Sequence, residues 1–176
     1  ATSLGTVMIP RMANTFAKGD NQKIMEYLKK SFQFVLMLAF PLMLGMISIS
    51  GKFVPIFYGA GYDKVVILIA MIMPIVLAIG LSNVIGMQYL LPTKKQKEYT
   101  TSVVVGAIVN FICNMILIRI YKSIGASIAT VIAEFVVTGV QFYMVRKEIK
   151  VRDIIKISKK YLFSAVIMFF VSMGIG

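Results

Sequence analysis

Glu134 is the side chain whose position most needs a chemical reason. It lies mid-way along Ser123–Val145, 23 residues that carry no other charge. A carboxylate at that depth in hydrocarbon costs about 3 kcal/mol, against ten Ile, Val and Phe residues worth about 0.3–0.6 kcal/mol each. The segment can therefore insert, while Glu134 asks for polar company. Ser123, Ser127, Thr130, Glu134, Thr138 and Gln141 recur at intervals of 4, 3, 4, 4 and 3. At about 100° per helical residue they fall within about 40° of Glu134. Such a face meets a hydrated cavity or substrate path, where Glu134 could titrate or touch cargo. The alternative is the polar side of a neighbouring helix, with Glu134 hydrogen-bonded there.

A narrower stripe, Gly106, Asn110 and Asn114, lies on the preceding apolar run beside Cys113. Two amides one turn apart suit hydrogen bonds between helices or contact with cargo. Gln88 stands near the end of another run with Ser82 and Asn83, on no shared face. The set expected on a cavity or substrate path is therefore Glu134, Thr130, Ser127, Thr138, Gln141, Asn110, Asn114 and Gln88. On a face adjacent to Glu134, Gly125, Ala129 and Ala133 repeat every four residues, a pattern that lets helices approach closely. Cys113, among apolar neighbours, reads as inert.

Catalytic chemistry has little to use. The chain has no His, one Cys and seven Asp plus Glu, with Asp20, Asp63 and Asp153 all in loops. A disulfide framework, a Cys/His zinc site and a histidine base are excluded, so neither an enzyme nor a cofactor is expected. No Lys or Arg lies inside an apolar run, so a cation for an anionic cargo within the membrane must come from elsewhere.

The elements that hold these residues are apolar spans. Of 176 residues, 59% are hydrophobic and 15% charged, and mean hydropathy is +0.85. A soluble domain carries about 25% charged residues. Uncharged stretches cover 31–51, 65–93 and 99–118, followed by Ser123–Val145 with its one Glu and by 161–176. A helix crosses hydrocarbon in about 20 residues, whereas barrel strands need about 9–11 and alternate. The expectation is an all-α integral membrane protein with about five transmembrane helices, plus the end of another that stops at Pro10. Pro41 and Pro74 should kink their spans. Both ends stop in apolar sequence, which suggests an internal piece of a longer chain.

Lys and Arg alternate sharply between connections. Residues 1–30, 94–98 and 146–160 hold 15 of the 19, and the other two connections hold four. By the positive-inside rule, loops 10–30, 92–98 and 146–160 are cytoplasmic. The net charge of +12 is thereby explained without nucleic acid. Asp20 after Gly19 is a good N-cap for a helix from Asn21, expected to turn Ile24, Tyr27 and Leu28 toward the membrane. Residues 146–160, with Ile149, Ile154 and Ile157 among their charges, read as an interfacial amphipathic segment.

Four strings, TVMIPRMANTFAKGD, GMQYLLPTKKQKEYT, GAIVNFICN and IGASIATVIAE, resemble the C-terminal half of Wzx-type flippases. These are repeat-unit transporters of O-antigen and capsule synthesis in the multidrug/oligosaccharidyl-lipid/polysaccharide (MOP) exporter superfamily, and the resemblance covers residues 1 to about 150. It implies two six-helix lobes around a central cavity, of which this chain supplies the end of helix eight and helices nine to twelve. Residues 1–145 would be the partial C-terminal lobe, 146–160 a basic cytoplasmic loop, and 161–176 the start of a thirteenth helix. Arg11, Gln88, Asn110, Asn114 and Glu134 fall on family motif positions. The implied cargo is an oligosaccharide on undecaprenyl diphosphate, moved across the bacterial cytoplasmic membrane. The implied partners are that cargo, the bilayer, and a polysaccharide polymerase with other envelope-assembly proteins. A multidrug exporter or a lipid II flippase of the same superfamily is the nearest alternative. A membrane-bound transferase should show Asp-rich or His-bearing loops, and a non-transporting scaffold has no need of polar stripes.

Overall fold

In the computed structural model, residues 2–59, 61–149 and 151–174 are described, with side chains from 8 to 172 apart from 60 and 150–153. Among them there is helix and no strand. The helices are α1 (Thr2–Ala17), α2 (Asn21–Tyr58), α3 (Asp63–Ile72), α4 (Ile75–Ser82), a π-helix (Asn83–Leu90), α5 (Gln96–Tyr121), α6 (Ser123–Val145) and α7 (Val151–Gly174). Four stretches are long and apolar enough to cross a membrane: Asn21–Tyr58, Asp63–Leu90, Gln96–Tyr121 and Ser123–Val145. Of the fifth apolar run, 161–174 lies inside α7.

Local sequence explains most boundaries. Asp20 caps α2, its carboxylate accepting the Lys23 amide at 3.1 Å, as expected. That hydrogen bond holds the Asp20 carboxyl below its ordinary value. Pro74 has no amide proton and crowds the preceding turn, so α3 ends at Ile72 and α4 starts at Ile75. Lys122, in the left-handed region at φ 51°, makes the one-residue joint between α5 and α6.

Three expectations change. Helix α1 does not stop at Pro10 but continues to Ala17. Ile24 and Leu28 do not face the membrane. Each is 2% exposed in a core with Met12, Phe32, Val84, Ile85 and Leu90. Ile149 and Ile154 join the same core, so the apolar side of 146–160 packs on protein rather than lipid. From Val151 that segment continues as α7 without a break. Burying these side chains against one another removes more apolar surface from water at the interface than laying them on headgroups.

The larger of the two buried cores lies at the basic end. Above the first core, Leu36, Phe40 and Ala165 join α2 to α7, and Ser48 Oγ meets Ser172 Oγ at 2.8 Å further along. Helices α5 and α6 form an antiparallel hairpin. A Cβ on Gly106 would lie 2.1 Å from Val137 Cγ2, and one on Gly125 2.1 Å from the Leu117 carbonyl oxygen. At Gly125 the close neighbour is backbone and at Gly106 it is a Val137 methyl, and Ala129 and Ala133 continue that seam buried.

Candidate functional site

The register of the α5–α6 hairpin sets the depth of the predicted polar residues on those two helices. Gly106 meets Val137, Leu117 meets Gly125, and Ser102 bonds Gln141. By the same register Asn110 lies level with Ala133, next to Glu134, and Asn114 with Ala129, between Ser127 and Thr130.

The long stripe on α6 divides in two. Its lower part is closed. Thr138 Oγ1 donates to the Ala78 carbonyl of α4 at 2.9 Å and is 4% exposed. Gln141 Nε2 donates to Ser102 Oγ at 3.2 Å with no exposed surface. Thr138 and Gln141, expected on a cavity, therefore seal helices together in this structure. Gln88 is likewise packed inside, 3% exposed. In low dielectric a short polar side chain gains most from a partner on the facing helix, and a buried seam supplies one. The carbonyl oxygens of Gln88 and Gln141 nonetheless have no hydrogen-bond partner.

The upper part is open. Ser127 and Thr130 turn their hydroxyls back to the Ser123 and Ala126 carbonyls. Glu134 is half-buried, and its carboxylate has no hydrogen-bond or ion-pair partner among the described residues. Asn110 and Asn114, also half-buried, bond each other along α5, Asn114 Nδ2 donating to Asn110 Oδ1. The expected amide bonds between helices are thus replaced by one within a helix, which leaves Asn110 Nδ2 and Asn114 Oδ1 for other partners. An oxygen-rich strip with one carboxylate can accept hydrogen bonds from hydroxylated or cationic groups. No cluster of metal-ligand residues occurs among the described side chains.

A second polar centre went unmarked in the sequence. Glu148, in the turn after α6, accepts from Tyr89 Oη at the end of the π-helix and pairs with Lys95 Nζ before α5. Lys95 Nζ also stands 5.7 Å from the centroid of the Tyr89 ring. These three line a cleft of about 350 Å³ with Phe16, Ile24 and Thr93. Partial burial pushes the Glu148 carboxyl up, but hydrogen bonds from Lys95 and Tyr89 and the Lys95 charge prevail and hold it below the ordinary glutamate value. The residues are 53 and 59 positions apart in the chain, so no local spacing could reveal the cluster.

Comparison with known proteins agrees with this architecture. Residues 1–176 match the family described as lipid II flippase MurJ. A protein of Escherichia coli (strain K12) named "Putative O-antigen transporter" is 33% identical over 93 residues, 53% of this chain and 22% of that protein. Lipid II flippase MurJ of Bacillus subtilis (strain 168) is 24% identical over 150 residues, 84% of this chain and 27% of that protein. A solved structure of lipid II flippase MurJ in an inward closed conformation superposes with a TM-score of 0.77 at 23% identity, over 96% of this chain and 35% of that one. The chain thus spans about a fifth to a third of the length of these relatives. The family comprises transporters rather than enzymes. By its full-length match and its all-helical multi-pass architecture, this chain belongs to the lipid II flippase MurJ family of the MOP superfamily.

Proposed function

We propose that the chain is part of a flippase that moves a polysaccharide repeat unit on undecaprenyl diphosphate across the bacterial cytoplasmic membrane by alternating access. One observation supports this most: the open strip of Ser127, Thr130 and Glu134, level with Asn110 and Asn114 inside the bilayer-spanning hairpin. Hydroxyl and amide groups at that depth suit a sugar-bearing cargo, which offers many hydroxyl donors and acceptors. The basic end, with loops 10–30, 92–98 and 146–160, is then cytoplasmic. Thr138 and Gln141 tie the helices together beneath the strip, and Gln88 is packed there without a partner for its carbonyl oxygen.

The test is to express the intact reading frame in cells lacking their own repeat-unit flippase. Return of surface polysaccharide supports the proposal, and its absence at normal protein level overturns it. Lipid II as cargo is the second reading, favoured by the family match along residues 1–176. Growth of cells depleted of their lipid II flippase would decide for it. A polysaccharide polymerase and other envelope-assembly proteins are the partners the first cargo would require.

A further inference from the structure

The second span changes winding at Asn83, and both ends of the changed stretch are held by α6 and the turn after it. Upstream, Thr138 Oγ1 bonds the Ala78 carbonyl at 2.9 Å, one turn before the π-helix starts. Downstream, Tyr89, the penultimate π residue, donates to Glu148. Glu148 also holds Lys95, whose own amide bonds the Leu90 carbonyl at 2.8 Å. Thr93 Oγ1 closes the segment by donating to the Tyr89 carbonyl at 2.7 Å. Residues 78 to 89 are therefore fitted to a ruler that runs from Thr138 to Glu148.

An eight-residue π-helix is unusual, because i→i+5 winding mostly occurs as single-turn bulges, often at functional sites. This one is not packed to satisfaction. Gly86 lies so close to α5 and α6 that a Cβ there would meet the Tyr99 ring at 2.7 Å and Gln141 Nε2 at 2.9 Å. The Oε1 atoms of Gln88, inside the π-helix, and of Gln141, beside Gly86, are both buried without a donor. An unpaired buried acceptor disfavours the arrangement that creates it. Any rewinding of 83–90 toward α geometry alters the rotational phase of Gln88 and of all that follows, including the start of α5. Two packings with comparable free energy make a bistable element, and an outside contact selects between them.

We propose that Glu148 is a positioning residue: by gripping Tyr89 and Lys95 it selects the π winding of Asn83–Leu90, and its release lets the segment rewind and turn the basic end of α5. This goes beyond the cargo reading and rests on it only for the consequence, that rewinding accompanies transport.

The test uses the full-length protein in lipid nanodiscs, with Cys113→Ser and spin labels at Lys29→Cys on α2 and Lys97→Cys on α5. Electron–electron distance measurements compare otherwise wild-type protein with Glu148→Ala and Tyr89→Phe. Either variant should raise a second distance population by about threefold or more over wild type. A distribution unchanged in both variants, even with a lowered melting temperature, overturns the proposal, because Glu148 would then only pin the turn after α6. If Glu148→Ala does not fold, Tyr89→Phe, which removes one hydroxyl, decides alone by the same criterion. Export by the otherwise wild-type protein, measured in cells lacking their own repeat-unit flippase, keeps the two claims apart: its failure there counts against the cargo reading, while the distance distributions alone decide the winding.

Discussion

Gln141 Nε2 on α6 donates to Ser102 Oγ on α5 across 3.2 Å, and neither side chain has exposed surface. The other half of the same amide, Oε1, has no partner. One substitution here should therefore hurt and the other should not. Ser102→Ala leaves the whole amide unpaired and lowers stability by about 1–3 kcal/mol. Gln141→Met removes bond and orphan together and stays within about 1 kcal/mol of wild type. A double-mutant cycle by thermal unfolding in detergent should give a coupling of about 0.6 kcal/mol. Equal losses for the two single variants would contradict the asymmetry.

The glycine seam gives a steric prediction with its own control. A methyl group at Gly125 would stand 2.1 Å from a backbone oxygen of Leu117, which cannot rotate away. Gly125→Ala should lower stability by about 1–3 kcal/mol, the usual penalty of overpacking. Gly139 on the same helix has nothing within 4 Å of its would-be Cβ. Gly139→Ala should leave the melting temperature unchanged or raise it. Similar shifts for both variants would mean the α5–α6 backbones are not in contact.

Glu134 is a half-buried carboxylate with no partner of its own among the described residues, so the fold does not need its charge. Under the proposed function, Glu134→Gln should lower export about tenfold, equivalent to about 1.4 kcal/mol, at unchanged protein level. Unchanged export would remove Glu134 from the cargo path. A fall in protein level would make it a structural group instead.

Glu148 predicts an acid-sensitive contact. Its carboxyl is raised by partial burial but lowered more by Lys95 and Tyr89, leaving it below the ordinary glutamate value in the folded protein. A group depressed on folding adds stability above its unfolded pKa and loses it as pH falls through the folded value. The melting temperature should therefore drop more steeply below the ordinary glutamate range in wild type than in Glu148→Gln. Parallel curves would show that the Lys95–Glu148 pair contributes nothing measurable.

Much of the fold was legible in the sequence. Uncharged lengths marked the spans, Asp20 marked the start of α2, Pro74 marked a break, and the Gly125–Ala129–Ala133 repeat marked the seam with α5. Each rests on short-range rules: hydrocarbon thickness, an orphan amide to cap, a missing proton, a missing Cβ. Pro10 is an instructive exception, since helix continues through it to Ala17.

Periodicity placed six polar residues on one face of α6, but could not say what that face would meet. Helical phase is a property of one chain segment, whereas exposure depends on which helix arrives opposite. Only the tertiary structure decided that Thr138 and Gln141 close against α4 and α5 while Glu134 stays open. It alone brought Tyr89, Lys95 and Glu148 together and gave Asn83–Leu90 its π winding. The sequence by itself determined that the chain spans a membrane, where its helices run and which end is basic, because insertion is summed over local apolar length and charge. Which polar groups pair was left to contacts between residues far apart in the chain, where hydrogen-bond partners are chosen by the packing of whole helices.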